Sequence, residues 1–283
     1  MSGKLIDLHM HTHFSDGRCT PQETVAIAAE RRLAAIAITD HDSLDALPEA
    51  EGCADKLGIE FVTGIELSCT YQNSDIHMLA YFIDCNYKPL AEKVTFYQAE
   101  RLKRGEMMVK KLNEMGIDLR MDTVKRMAGS GVVGRPHVAD ALLSEEFVQT
   151  FDEAFSRYLG YHAPAYVPKT FFDPVEAIEL VHEAGGLAIM AHPGTAKRDD
   201  TIDYFKEIGM DGIEVYHSKH TPQQVRHYKS IAEKKNLLIS GGSDWHGRPD
   251  PRAEMGSQRV PYEVLVRMRE YLAARTSSRK EPS

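Results

Sequence analysis

The sequence predicts an α/β barrel of the TIM type that carries a helical insertion. Three observations predict it. Short apolar runs alternate with helical patterns towards both ends of the chain, as βα units of a parallel sheet do. Two of these runs, AAIAITDHD (34–42) and LAIMAH (187–192), are apolar without alternation, the pattern of strands buried on both faces. The polar residues His9, His11, Asp40, His41 and Glu66 fall at the carboxyl ends of the runs, where α/β barrels build active sites.

The elements follow in order. Lys4 to His11 reads as the first strand. Thr20-Pro21-Gln22-Glu23 opens a helix: Thr20 caps it, Pro21 takes the first helical position and Glu23 completes a capping box. Residues 34–42 form the second strand, and Leu44 to Leu57 a helix ended by Gly58. Strands follow at 59–68, ending near Glu66, and at 76–84, starting near His77. From about Tyr87 to Pro168 the pattern is helical without strands: Pro89–Met115, about Asp122–Ala128, a helix opened by Pro136, and about Thr150–Leu159. No Gly/Ser/Pro linker flanks this stretch, so it reads as an insertion over the barrel mouth, not a separate domain. Alternation then returns, with a helix from Asp173-Pro174 to His182 and a strand at 187–192. A helix at 199–208, a strand at 212–217, a helix at 222–235, a strand at 237–246 and a last helix at 262–274 complete it. The expected division is barrel over 1–86 and 169–275, helical insertion over 87–168, and a disordered polar tail over 276–283.

Composition bounds the partners. At 283 residues, 42% hydrophobic and 27% charged, the chain can bury a sizeable core. A net charge of −8 and a pI near 5.9 argue against duplex DNA as a partner. They do not argue against a small anion, because bound divalent ions would reverse the local sign. Lys4 is followed by Asp7 and histidines, not by a secretory apolar run, and no stretch approaches the roughly 20 apolar residues of a membrane span. Four cysteines without a CxxC pair fit a reduced, cytoplasmic protein. A monomer is expected.

The stretch LIDLHMHTHFSD (5–16) organises the chemistry. In an extended strand His9, His11 and His13 point the same way, and Leu5, Ile6 and Leu8 mark the strand as buried. Several imidazoles on one face of a buried strand point to metal. The strand ends and exits add more donors, giving His9, His11, Asp16, His41, Glu66, His77, His192, Asp244 and His246. That set exceeds the four to six ligands one ion takes, so two or three ions are expected. Histidine and carboxylate without thiolate suits Mn²⁺, Fe²⁺ or Zn²⁺.

HMHTHFSDG, TDHD (39–42), GIE (64–66), AHPG (191–194) and SDWH (243–246) together resemble the motifs of the PHP (polymerase and histidinol phosphatase) family of the amidohydrolase superfamily. The resemblance runs in order over nearly the whole chain, apart from the helical stretch. It implies a distorted (β/α)7 barrel and three ions, Mn²⁺ foremost. His9, His11, Glu66 and Asp244 would hold the first. Glu66, as a bridge, with His77 and His192 would hold the second, and Asp16, His41 and His246 the third. Asp16 stands where some family members carry His, and His13 matches no ligand position. Clustered ions of this kind imply phosphoester hydrolysis, with Glu66 and Asp244 as the catalytic candidates. Arg135, in GRPH after Gly129, Gly131 and Gly134, is the leading phosphate-binding candidate, with His137 nearby and Lys169 where the insertion returns. The insertion with GRPH resembles one PHP subgroup. Its members remove the 3′-phosphate of nucleoside 3′,5′-bisphosphates, and some trim short RNA from the 5′ end. The expected partner is therefore a small phosphorylated nucleotide or short RNA. The rivals are histidinol-phosphate phosphatase, another small phosphomonoesterase, and a non-catalytic PHP module. All nine donor positions are filled, which argues against the last.

Overall fold

The structure is a computed structural model that describes residues 3–72, 74–168 and 172–278. Seven strands form its wall: β1 (Leu5–Asp7), β2 (Ala35–Ile38), β3 (Glu60–Tyr71), β4 (Ser74–Tyr81), β5 (Leu187–Met190), β6 (Gly212–His217) and β7 (Leu238–Gly242). They pair in sequence order. The chain beyond β1 meets the chain beyond β7: Leu8 N donates to Gly241 O (3.2 Å), Asp244 N to His9 O (2.9 Å) and His11 N to Trp245 O (2.8 Å). The sheet thus curls into a nearly closed barrel. A short β8 (Val260–Pro261), absent from the sequence reading, pairs antiparallel with β1. Two residues are too few to leave a hydrophobic period.

Most neighbouring strands are parallel, but β4 runs antiparallel to both β3 and β5. Its reversal has a consequence for the site. The start of β4 lies where the other strands finish, so His77 joins residues from strand ends, and its backbone pairs with Ser68, two residues past Glu66. Apolar strand runs and turn signals specify that a strand exists, not which way it points.

The helices obey their local signals. Thr20 caps α1 (Pro21–Glu30) by accepting from Glu23 N at 3.2 Å, while Glu23 accepts from Thr20 N at 2.8 Å. Gly58 ends α2 (Leu47–Leu57) in the left-handed region at φ +68°, which a glycine adopts without a Cβ clash. Then come α3 (Lys88–Glu114), α4 (Met121–Ala128), α5 (Arg135–Ser144) and α6 (Phe151–Ala154), which runs on as a π-helical turn, Phe155–Leu159. Past the helical stretch come α7 (Pro174–Glu183), α8 (Pro193–Ala196), α9 (Ile202–Glu207), α10 (Pro222–Lys235) and α11 (Glu263–Ser278). The expected tail from 276 is helical as far as Ser278, with Thr276 and Ser277 bonding back to Leu272 O and Ala273 O. The rest of that tail lies outside the described residues.

Burial explains how the helical stretch is mounted. Leu90, Val94 and Tyr97 of α3 pack into the apolar cluster under β3, β4 and α7. Met108, Val109 and Leu112, further along the same helix, pack into a separate cluster with α4, α5 and α6. One helix of 27 residues therefore belongs to both cores. Buried apolar surface at both ends, at roughly 25 cal/mol per Å², fixes the helical stretch against the barrel. No helix among the described residues is long and apolar enough to cross a membrane.

Candidate metal centre

All nine donor residues picked out in the sequence converge at one end of the barrel, and Glu66 is their hub. Glu66 is fully buried, and its two carboxylate oxygens face different partners. Oε2 lies 3.1 Å from His9 Nε2, 3.2 Å from His11 Nε2 and 3.2 Å from His41 Nδ1. Oε1 lies 2.7 Å from His77 Nδ1 and 3.0 Å from His192 Nε2. One carboxylate thus serves two sets of imidazoles. Asp244 Oδ1 closes the first set, 3.2 Å from His11 Nε2 and 3.5 Å from His9 Nε2. Asp16 sits in a third: its Oδ1 is 3.1 Å from His246 Nε2 and its Oδ2 is 3.9 Å from His41 Nε2.

The donor chemistry fits cations. His11 Nε2, His41 Nδ1 and His217 Nε2 are buried and make no hydrogen bond among the described residues, yet each lies 3.2–3.3 Å from a carboxylate oxygen. Buried polar atoms otherwise find hydrogen-bond partners. Donors that approach each other closely but off the hydrogen-bond axis are arranged to share a cation. Several groups of His, Asp and Glu, including His11/Asp16/His41/His246, His9/His11/Asp244 and His41/Glu66/His77, bring their ligand atoms within 4.8 Å of one another.

The electrostatics agree. Burial pushes the Glu66, Asp244 and Asp16 carboxyls up, but the surrounding histidines outweigh it and hold all three well below the usual carboxylate range. Burial pulls His11 down, and the Asp244 and Glu66 carboxylates more than compensate, raising it to about 10. The backbone carries strain at the same place. His192 (φ +27°) and Asp244 (φ +57°) sit at positive φ without being glycine, which costs on the order of 1–3 kcal/mol each.

Buried carboxylates orient the donors from behind. Glu214, in mid-β6, accepts from His9 Nδ1 at 2.9 Å and from His192 N at 2.8 Å. Holding the His9 proton on Nδ1 leaves Nε2 to face Glu66 and Asp244. Asp40 accepts from Thr12 N at 2.7 Å and Ser15 Oγ at 2.5 Å, pinning the loop that presents Asp16. Asp7 accepts from Ser243 N at 2.9 Å beside Asp244. The sequence reading passed over Glu214 and His217. His217 ends β6, the position that singled out the other donors, and its Nε2 lies 3.3 Å from Asp244 Oδ2. Glu214 points inward from mid-strand among apolar neighbours, and a lone acid in GIEVYH is its only trace in the sequence.

A cavity of about 120 Å³ adjoins the cluster. Asp16, His41 and His77 line one side; Arg101, Arg104 and Arg135 line the other. Arg101 Nε donates to Asp42 Oδ2 at 2.6 Å, tying α3 to the barrel. Arg104 is 4% exposed, its Nε donates to Val167 O, and its Nη2 is buried without a hydrogen-bond partner among the described residues. Burial and the like charges of Arg135 and Arg101 push Arg104 down to about 10. Arg135 opens α5, with its guanidinium 5.2 Å from the Tyr161 ring and 3.7 Å from Asp75. His137 is buried, its Nδ1 accepts from Gly134 N at 3.0 Å, capping α5, and it lines a second cavity with Asp16, Arg18 and Arg248. Lys169 lies outside the described residues. His13 stands apart from the Glu66 hub, with Nδ1 buried and without a hydrogen-bond partner among the described residues.

A strand-end cluster of histidines and carboxylates, with cationic side chains beside it, defines a barrel hydrolase that acts on anionic esters. The chain belongs to the PHP family: the PHP domain matches residues 7–164. It is similar to a 5′-3′ exoribonuclease, Rnm, of Salmonella typhimurium, 31% identical over 259 residues that cover 89% of this chain and 88% of the relative. It is also similar to a 3′,5′-nucleoside bisphosphate phosphatase of Chromobacterium violaceum, 31% identical over 257 residues, 89% of this chain and 90% of the relative. Among solved structures, a candidate metal-dependent phosphoesterase of Bifidobacterium adolescentis superposes with a TM-score of 0.86 at 30% identity, over 94% of this chain and 95% of the other. The protein is a metal-dependent phosphoesterase with a PHP-type barrel.

Proposed function

We propose that the protein removes the 3′-phosphate of nucleoside 3′,5′-bisphosphates and also cleaves short 5′-phosphorylated RNA from its 5′ end. The observation that carries the reading is the cavity in which three arginines face Asp16, His41 and His77. A small, buried, cationic cavity suits a terminal phosphate, and burial strengthens each charge-assisted hydrogen bond. The crowding that lowers Arg104 is relieved when an anion enters. A nucleotide with its 5′-phosphate against Arg104 and Arg135 would present its 3′-phosphoester to the histidine cluster. The names of the Chromobacterium and Salmonella relatives support both substrate types.

In this reading His9, His11, Glu66 and Asp244 hold one divalent ion. Glu66, His77 and His192 hold a second, and Asp16, His41 and His246 a third, with Mn²⁺ the proposed metal. Ions bound there would lower the pKa of water and offset charge developing on the phosphoryl oxygens. The chain's own groups do the rest. Hydrolysis adds water across the P–O3′ bond: oxygen joins phosphorus and a proton ends on O3′. Asp244, ionised at neutral pH, would take a proton from water. Glu66 fixes the spacing of the two imidazole sets, and the cavity arginines hold the substrate in register.

The test is phosphate release from adenosine 3′,5′-bisphosphate with added Mn²⁺, run beside histidinol phosphate. AMP and phosphate in equal amounts are expected from the bisphosphate. Turnover of histidinol phosphate alone would replace this reading with the amino-acid-phosphate one.

A further inference from the structure

Asp16 separates two cavities. On one side is the arginine cavity described above. On the other is a larger one, about 520 Å³, walled by His13 and Arg18 of the first barrel loop, by Gly129 and Asp140 of the helical stretch, and by Arg248 beyond β7. Both cavities touch the same cluster residue, so a ligand reacting beside Asp16 has an opening on either hand.

The two differ in character. The small cavity is lined by the buried Arg101 and Arg104 and the half-buried Arg135. The larger one is built for looser contact. Asp140 holds Arg248 with two bonds of 3.0 and 2.7 Å and Arg18 with one of 3.1 Å, so one carboxylate arrays two guanidiniums along the cavity wall. The Arg248 guanidinium also lies 4.4 Å from the Phe151 ring, whereas the Arg18 side chain is 54% exposed. His13 adds an imidazole whose Nδ1 has no hydrogen-bond partner among the described residues, the third histidine of the opening run that the Glu66 hub does not absorb. The wall is held in place by backbone. Val132 N donates to Phe14 O at 3.1 Å, and a Cβ on Gly131 would lie 2.4 Å from His13 O, so only glycine lets the helical stretch press on this loop.

We infer that the larger cavity is the subsite for the nucleotides 3′ of the scissile phosphate when the substrate is RNA, with Arg18 and Arg248 contacting their phosphates. The inference rests on the proposed function. A nucleoside bisphosphate ends at its 3′-phosphate and leaves this cavity unused. In 5′-phosphorylated RNA the same phosphorus carries a further nucleotide through its O5′. Water oxygen joins phosphorus, the P–O3′ bond breaks, a 5′-mononucleotide leaves with a proton on O3′, and the shortened RNA keeps the phosphate as its new 5′ end. The chain beyond the phosphorus must pass Asp16 on the side away from the 5′-phosphate, and a mobile, salt-sensitive phosphate contact is what an exposed arginine offers.

The experiment compares kcat/KM for a 5′-phosphorylated trinucleotide RNA and for adenosine 3′,5′-bisphosphate, in the unaltered chain with Mn²⁺ and in Arg18→Ala. Arg248→Lys is the second variant, since it keeps a cation beside Asp140. Losing one charged phosphate contact should lower the RNA-to-bisphosphate ratio roughly three- to tenfold, through KM for RNA. A ratio unchanged in both variants overturns the inference, as does a greater loss on the bisphosphate. If the unaltered chain hydrolyses the bisphosphate but no RNA, the subsite is wrong and the proposed function keeps its phosphatase half. If it hydrolyses neither, both fail.

Discussion

The barrel end and the helical stretch meet across one small cavity, and they solve opposite electrostatic problems. The barrel gathers histidines and carboxylates whose charges largely cancel, with Glu66, Asp244 and Asp16 held ionised by the imidazoles around them. The helical stretch gathers Arg101, Arg104 and Arg135, whose charges add, and the burial of Arg104 makes the crowding costly. The first arrangement suits cations shared between donors. The second suits an anion. A phosphorylated substrate is what such a pair of surfaces has in common; in the proposed function one side works on the phosphoester and the other holds a phosphate that does not react.

That contrast can be broken most severely at Glu66. In Glu66→Ala both imidazole sets lose their shared carboxylate, so metal content should fall and turnover should drop by about a thousandfold or more. Metal analysis beside steady-state rates checks it, and full metal content with full activity would refute the hub. The opposite surface is probed by Arg104→Met. Bound metal should be unchanged, while kcat/KM for a 5′-phosphorylated substrate falls about 10- to 100-fold, the weight of one charged hydrogen bond. Loss of metal in this variant would erase the proposed division of labour.

Glu214→Gln sharpens the barrel side. It keeps the size of the side chain but loosens the hold on the His9 proton, and metal affinity should weaken about 10- to 100-fold by calorimetry. The pH dependence follows from His11, raised to about 10 when no metal is bound. Metal needs the neutral imidazole, so binding expels its proton, and apparent affinity should climb as pH rises from 6.5 towards 10. Stability of the metal-free protein runs the other way. A raised folded pKa stabilises fully below 6.5 and is lost as pH rises through about 10, so its melting temperature should fall across that window. Far from both surfaces, Thr20→Ala removes the α1 cap; it should cost about 1 kcal/mol in denaturant titrations and leave kcat untouched.

The two regions were also unequally legible in the sequence. Strand ends carry short, dense motifs, so His9, His11, His41, Glu66, Asp244 and His246 could be read as one constellation, and the structure brings them together. His217 follows the same strand-end rule and was overlooked. Glu214 obeys no such rule, because a mid-strand acid can face either side of a sheet until the partner histidine is in place. In the helical stretch GRPH exposed Arg135, but Arg101 and Arg104 were lost in a run of lysines and arginines. The signal was present. Leu90, Val94, Tyr97, Arg101, Arg104 and Met108 fall on one face at alternating spacings of four and three, and all are buried. Lys103, off that face, has a side chain 65% exposed. A cation on an apolar stripe is placed for a reason, whereas one off it is solvated. His137 also carries a capping bond to Gly134 N that its nearness to Arg135 in sequence did not announce.

The most direct measurement is the ratio of kcat/KM for adenosine 3′,5′-bisphosphate to that for adenosine 3′-phosphate, at saturating Mn²⁺. Both present the same 3′-ester to the barrel, and only the first presents a 5′-phosphate to the arginines. A ratio of about 10 to 100 is predicted from one or two charged hydrogen bonds. A ratio near one would mean that the arginine cavity does not read the second phosphate, and the pairing of the two surfaces would be wrong.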